Sequence, residues 1–118
     1  SAIPHPFDEL RHHAVHLTRD DVGLFDCVEG FNARCLSKTY NDLAYNFGKE
    51  YDLAITAGSD AHFLNEVGNG GIIIGQEDIR EAIMKKDMII YGHRSMVINH
   101  AGTKVLKLGR SIRSYLDE

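Results

Sequence analysis

The chain of 118 residues lacks most of the features that mark secreted, membrane-spanning and nucleic-acid-binding proteins. Its two cysteines, Cys27 and Cys35, are too few for a disulfide framework and fit packed thiols in a reducing cytoplasm. No apolar run approaches the roughly 18 residues of a membrane span, and the first residues show neither the basic region nor the apolar core of a signal peptide. The net charge of −4 provides no basic surface for nucleic acid, although nucleotides remain open as ligands.

What the sequence does contain is typical of a cytoplasmic globular domain. Hydrophobic residues make up 43% of the chain and charged residues 25%, and there is no internal repeat or low-complexity linker. The length suits one domain or a piece of one. Seven histidines are more than expected for this length, which is a weak indication of metal chemistry.

Short apolar runs alternate with helical patterns along the chain. Helices are predicted over Asp8–Leu17, from the N-cap Ser37 to Tyr51, over Gln76–Lys86 and over Thr103–Leu116. Strands are predicted at Ala2–Ile3, Asp26–Asn32, Leu53–Ala57, Gly70–Gly75 and Met88–Tyr91. This alternation favours parallel pairing in βα units.

Two of the predicted helices have a defined apolar face. In the second helix the apolar residues recur at helical spacing: they are Tyr40, Leu43, Ala44, Phe47 and Tyr51. In the third helix we expect Ile79, Ala82 and Ile83 to face inward, with lysines in the last turn where they suit the helix dipole.

The predicted fold class is α/β, with about four or five mostly parallel strands and flanking helices. Such a sheet is too small to close a parallel barrel, which needs about eight strands and roughly 250 residues. We therefore expect the chain to be the C-terminal part of a larger protein, with the N-terminal half of that protein as a partner. The first strand would expose an unpaired edge, so we also expect a homo-oligomer in which that edge is covered.

A potential metal site follows the strand at Leu53–Ala57. Asp60 and His62 stand two residues apart, and side chains at that spacing in extended backbone leave on the same face. A carboxylate and an imidazole suit Zn, Mn or Fe. The alternative is a turn in which the aspartate caps a helix.

Two further polar residues lie at or near strand ends. His5 stands between two prolines after the first strand. Because a residue before proline is pushed toward extended backbone, we place His5 at the end of that strand. Glu29 lies on the second strand. Carboxyl ends of parallel strands meet at one edge, so we expect both to share a rim with Asp60 and His62. Taken alone, the histidine is better explained by a structural role, and the glutamate could be a buried acid or an edge residue.

These motifs resemble the C-terminal half of the PHP family, named for polymerase and histidinol phosphatase. The stretches are "HPF" at His5–Phe7, "VEGFNAR" at Val28–Arg34 and "AGSDAH" at Ala57–His62, followed by a glycine-bearing segment. They occur in the family's order, and the resemblance covers roughly Ile3–Gly75. The stretch "EDIREAIMKKDMIIYG" is similar to the helix and strand that usually follow.

The resemblance implies part of a distorted (β/α) barrel that carries two or three divalent metal ions and hydrolyses phosphate esters. It identifies His5, Asp60 and His62 as metal ligands, with Asp60 and His62 also catalytic. It gives Glu29 and Asn32 supporting roles. Arg34 would either meet the phosphate of a small substrate or be solvated at the surface.

The family's remaining ligands, including a His-x-His strand, belong to the N-terminal half and have no match here. His12, His13 and His16 fall on the first predicted helix, in the wrong order and place, and are interpreted as surface residues. We divide the chain into residues 1–75, part of the barrel, and 76–118, an extension packed on it. We expect the chain alone to be inactive; the alternative is a non-catalytic structural or assembly module derived from such a domain.

Overall fold

A computed structural model of the chain describes residues 1–8, 19–96 and 98–106. The strands are β1 (Ala2–Ile3), β2 (Cys27–Asn32), β3 (Ala54–Gly58), β4 (Gly70–Ile74) and β5 (Met88–Gly92). The helices are α1 (Lys38–Glu50) and α2 (Ile79–Met84), with short 3-10 helices at Arg19–Leu24 and Leu64–Glu66. Residues 98–106 are also helical.

Three strands form a parallel sheet in the order β1-β2-β3. Because the strands run in one direction, their carboxyl ends lie along one edge. His5 follows β1, Asn32 is the last residue of β2, and Asp60 follows β3. The predicted parallel α/β arrangement is confirmed for these strands, and this edge contains the candidate site.

Strand β2 carries one additional residue relative to β3. Glu29 pairs with Thr56 and Phe31 pairs with Ala57, so Gly30 is the residue of a β-bulge. A Cβ atom at this glycine would lie only 2.4 Å from Cγ2 of Ile55, so no other residue fits there without a shift of its neighbours.

Helix α1 covers one face of the sheet. As predicted, Ser37 caps it, and its hydroxyl oxygen accepts a hydrogen bond from Thr39 N at 3.2 Å. Ala44 and Gly48 are buried on its inner face. The core beneath consists of Ile3, Val22, Val28 and Leu53, with Phe25, Phe47, Tyr51 and Ile55 packed around it.

The last two strands differ from the prediction, because β4 and β5 pair antiparallel. Helix α2 between them has six residues, from Ile79 to Met84, and not the eleven predicted. Ala82 is buried as predicted, but Ile79 is 59% exposed and does not face inward.

The described strands form an α/β arrangement without closing a barrel. Most of the predicted Asp8–Leu17 helix, with its three histidines, lies outside the described residues. The final helix, predicted over Thr103–Leu116, begins earlier, since residues 98–106 are helical; its predicted remainder, 107–116, lies outside the described residues. Within the part of the chain that is described, no helix is long and apolar enough to cross a membrane.

Candidate functional site

Four of the residues predicted for the site are joined at the carboxyl edge of the parallel sheet. The backbone N–H of His5 donates to Oε2 of Glu29 at 2.9 Å. Nδ2 of Asn32 donates to the same oxygen at 3.1 Å and to Oδ2 of Asp60 at 3.4 Å. Residues from all three strand ends therefore belong to one hydrogen-bonded group.

Asn32 is the fixed centre of this group. Its Oδ1 accepts from the N–H of Arg34 at 2.9 Å, so its amide nitrogen must face the two carboxylates. The side chain of Asn41, on α1, holds the Asn32 backbone at both its N–H (3.0 Å) and its carbonyl oxygen (3.1 Å). The amide thus places a donor between two negative charges that would otherwise repel each other.

The bulge in β2 explains how Glu29 and Asn32 reach the same side. Residues three apart in a regular strand point to opposite faces, because side chains alternate with a period of two. The additional residue, Gly30, shifts this alternation by one position. The Glu-x-x-Asn spacing therefore places both side chains together only because the strand is bulged.

Gly58, at the end of β3, is required by the Glu29 carboxylate. A Cβ atom at this position would lie 2.7 Å from Oε1 of Glu29. Any larger residue would have to displace the carboxylate, so the glycine before the Ser-Asp-x-His stretch provides space for the acid as well as a chain turn.

His5 and Asp60 both adopt left-handed backbone conformations. Their φ values are 25° and 49°, which non-glycine residues adopt uncommonly. Such conformations cost of order 1–3 kcal/mol each and cluster at functional sites. Two of the three predicted metal ligands therefore lie at positive φ, as do Asp52 and Lys86 outside the site; Asp and His adopt this region more readily than most other residues.

The ring of His5 contains an unsatisfied nitrogen. Among the described residues, its Nδ1 is buried and has no hydrogen-bond partner. Buried polar atoms in native proteins nearly always have a partner, and exceptions call for an explanation such as a bound ion. A lone pair in that position is suited to a metal ion or a substrate group.

His62 extends from the loop after β3 and its side chain is 41% exposed. Its Nδ1 lies 2.8 Å from the carbonyl oxygen of Asp60. With the proton on Nδ1 this contact is a hydrogen bond, and Nε2 then carries the free lone pair. Metal-binding histidines commonly donate their other ring nitrogen in this way.

The donor types at this edge suit a divalent transition metal, since they comprise two imidazoles and a carboxylate. They do not make a complete set by themselves: within residues 1–8, 19–96 and 98–106, no group of three or more His, Cys, Asp or Glu side chains has the geometry to hold an ion. The assignment of His5, Asp60 and His62 as ligands stays a prediction.

Arg34 is not solvated, contrary to one of the two interpretations of the sequence. Its side chain is 5% exposed, and Nη1 lies 2.6 Å from both carboxylate oxygens of Glu66. Nη2 donates to Oγ1 of Thr103 at 2.9 Å. The guanidinium is buried because it has a charged partner 32 residues away, which no local pattern reveals.

Glu66 is the residue that the sequence interpretation missed. It is fully buried, and its Oε2 accepts from the N–H groups of His62 at 2.9 Å and Phe63 at 3.1 Å. Burial alone would raise the pKa of this carboxyl, but the hydrogen bonds from these N–H groups and from Arg34 lower its pKa from 4.5 to about 2. The one local signal for Glu66 is its position three residues after Phe63, which precedes the short helix Leu64–Glu66. An acid at this position can accept hydrogen bonds from the free N–H groups at the start of a helix.

The comparisons with known proteins agree with the sequence motifs. Residues 38–86 match the family model described as PHP-associated. The match supports the assignment of this chain as a C-terminal region of a PHP family protein, as the motifs had predicted.

A curated relative also aligns with the chain. The chain is 38% identical over 84 residues to an uncharacterized protein of Methanocaldococcus jannaschii. The alignment includes 67% of this chain, which spans about a third (35%) of the relative's length. No solved structure matches.

Proposed function

We propose that the chain is the C-terminal portion of a metal-dependent phosphoesterase that hydrolyses phosphate esters of small molecules. The observation that carries the proposal is the buried Nδ1 of His5, which has no partner within the described ranges, at the strand edge where Asn32 joins Glu29 and Asp60. The PHP-associated match gives the family context.

In this proposal His5, Asp60 and His62 hold their share of two or three divalent ions, with Zn, Mn and Fe as the candidate metals. Bound ions supply Lewis acidity, which lowers the pKa of a coordinated water and polarises the phosphoryl group. Glu29 fixes the backbone of His5, and Asn32 orients the carboxylate of Asp60. Asp60 also orients the attacking water.

The chain contributes only part of the ligand set, so we expect little or no activity from it alone. Metal affinity grows with a complete and preorganised set of ligands, and three ligands spread over two ions bind weakly. The measurement is hydrolysis of p-nitrophenyl phosphate by the isolated chain with added Mn²⁺. Measurable turnover would contradict this expectation.

The proposal itself is tested in a longer protein that contains this chain together with its N-terminal half. We expect stoichiometric divalent metal by elemental analysis, and at least about a tenfold loss of metal affinity and activity in His5→Ala. The matched control is His93→Ala, because this exposed histidine follows β5 and its N–H donates to Asn69 O at 2.8 Å. A metal-free, inactive long protein, or equal effects of both substitutions, would refute the proposal.

The second candidate is a structural or assembly module. It is favoured by exposed apolar side chains on one face of the β4–β5 pair, where Ile73 (57% exposed) lies opposite Ile89 (68% exposed). A His-x-His strand in the preceding sequence of the longer protein favours the enzyme. A preceding sequence without such ligands favours the module.

A further inference from the structure

We propose that Glu66 and Arg34 act as a positioning pair for His62, holding the loop after β3 so that the imidazole meets the ion bound at this edge. This inference rests on the proposed function, because it assigns a purpose to His62 as a ligand. It concerns two residues that the family motifs do not assign as ligands.

Glu66 holds the His62 loop through the main chain. One carboxylate oxygen, Oε2, accepts from the consecutive N–H groups of His62 and Phe63. The histidine side chain is 41% exposed, and its Nδ1 contacts the carbonyl oxygen of Asp60 within the same short loop. The placement of the imidazole therefore depends on the backbone, which Glu66 fixes.

Arg34 links both parts of the site. Its backbone N–H donates to Oδ1 of Asn32, whose amide nitrogen faces Asp60. Its guanidinium binds both oxygens of Glu66, which in turn holds His62. One residue thus sets the relative position of the strand end that orients Asp60 and the turn that carries His62.

The helical residues 98–106 support this pair from outside. Thr103 accepts from the guanidinium and donates to the carbonyl oxygen of Asn99 at 3.0 Å. Nδ2 of Asn65, adjacent to Glu66, donates to Oδ1 of Asn99 at 3.3 Å. At Gly102 a Cβ atom would lie 3.1 Å from the ring of Phe63, so the segment packs closely on the His62 loop.

A buried ion pair is a costly way to stabilise a protein, because apolar residues of similar volume often do as well. Its benefit is geometric here: Nη1 lies 2.6 Å from both oxygens of Glu66 while Nη2 donates to Thr103, so the carboxylate is held in orientation as well as in position. The ligands of a metal site must be held within about 0.5 Å of their binding geometry. A ligand on a loop reaches that precision when neighbouring residues fix the loop, as Glu66 and Arg34 do here.

The test compares the wild-type chain with a Glu66→Met/Arg34→Met double variant, which leaves no unpaired buried charge, and with Glu66→Gln. Glu81→Gln is the matched control, since Glu81 pairs with Lys85 at the surface. Amide hydrogen exchange is measured at His62 and Phe63 relative to Val28 in the core, and ¹⁵N shifts report the tautomer of the His62 ring. Zinc affinity is measured on the same variants of the longer protein, because the ligands of this chain alone bind metal weakly.

We expect the double variant to exchange the two loop amides at least about tenfold faster while Val28 changes little. In Glu66→Gln the lower global stability accelerates exchange at Val28 as well, so for that variant the tautomer and the zinc affinity provide the comparison. The His62 ring is expected to lose its single tautomer, and zinc affinity is expected to fall by about 10–100-fold. The control should match the wild type in all three measurements.

Unchanged exchange and tautomer in both Glu66 variants would overturn the positioning role, and so would loosened amides with unaltered zinc affinity. If the wild-type chain and the longer protein bind no zinc at all, the proposed function fails instead. The exchange and tautomer measurements still decide whether Glu66 fixes His62 in that case, so the two failures are distinguishable.

Discussion

The carboxylate of Glu66 is fully buried, yet three groups donate to it: the N–H groups of His62 and Phe63 and the guanidinium of Arg34. Replacing it with glutamine leaves the Arg34 charge buried without its partner. We expect Glu66→Gln to lower the free energy of unfolding by about 3–5 kcal/mol, as measured by urea denaturation. Glu81→Gln removes one partner of an exposed ion pair and should change the free energy of unfolding by no more than about 0.5 kcal/mol. An equally small change in Glu66→Gln would contradict the structure.

The lowered pKa of Glu66 also predicts acid sensitivity. Below pH 4.5 the unfolded chain binds a proton at this carboxyl, whereas the folded chain does so only near pH 2. The unfolded state then binds more protons, so the stabilising contribution is complete above pH 4.5 and is lost as the pH falls toward 2. Urea denaturation across this pH range should show that the free energy of unfolding falls less steeply with decreasing pH in Glu66→Gln than in the wild type. Parallel dependences of the free energy on pH would exclude the effect.

The residues of the site divide into those that a local pattern reveals and those that it does not. Asp60 and His62 stand out because of their spacing after an apolar strand, whereas Asn32 was identified only through the resemblance of the Glu-x-x-Asn stretch to the PHP family. Glu66 and the burial of Arg34 could not be predicted, since each depends on a partner 32 residues away. Pairs of that kind arise from tertiary packing and leave no periodic signal in the sequence.

At the scale of elements, α1 packs on the sheet through Gly48. A Cβ atom there would lie 2.7 Å from Cγ1 of Ile55 and 2.8 Å from Cγ1 of Val28. In an exposed helix a Gly→Ala change stabilises by about 0.5–1 kcal/mol. Here we expect Gly48→Ala to destabilise by about 1–3 kcal/mol, because the methyl group overpacks the core.

Thermal or urea denaturation checks the sign of this effect. The control is Gly23→Ala, because a Cβ atom at Gly23 has no neighbour within 4 Å among the described residues. It should be neutral or stabilising by up to about 1 kcal/mol. A stabilised Gly48→Ala variant would mean that α1 lies farther from the sheet than described.

Local propensity predicted α1 well and α2 less well, for a physical reason. Ser37 provides a cap, and of the predicted apolar face Ala44 is buried and Phe47 and Tyr51 pack against the core, although Leu43 is 46% exposed. The helix α2 was predicted to begin at Gln76, but its N-cap is Asp78. It therefore begins at Ile79 and has six residues. The antiparallel pairing of β4 and β5 is a tertiary feature that the periodicity of the apolar residues does not specify.

At the scale of the whole molecule, β1 is an edge strand of the parallel sheet and has only two residues. Unpaired backbone at an edge favours pairing with another chain. We expect the isolated chain to form a dimer or a higher assembly that covers this edge, as measured by light scattering over a range of concentrations. A monodisperse monomer at high concentration would contradict this expectation.

The bulge at Gly30 has a consequence for how homologous chains are compared. If a homologue has a straight second strand, its acid and its amide must be separated by an even number of positions to occupy the same rim. An alignment that introduces a one-residue gap between them would therefore mark a change of strand shape, with the polar pair itself preserved.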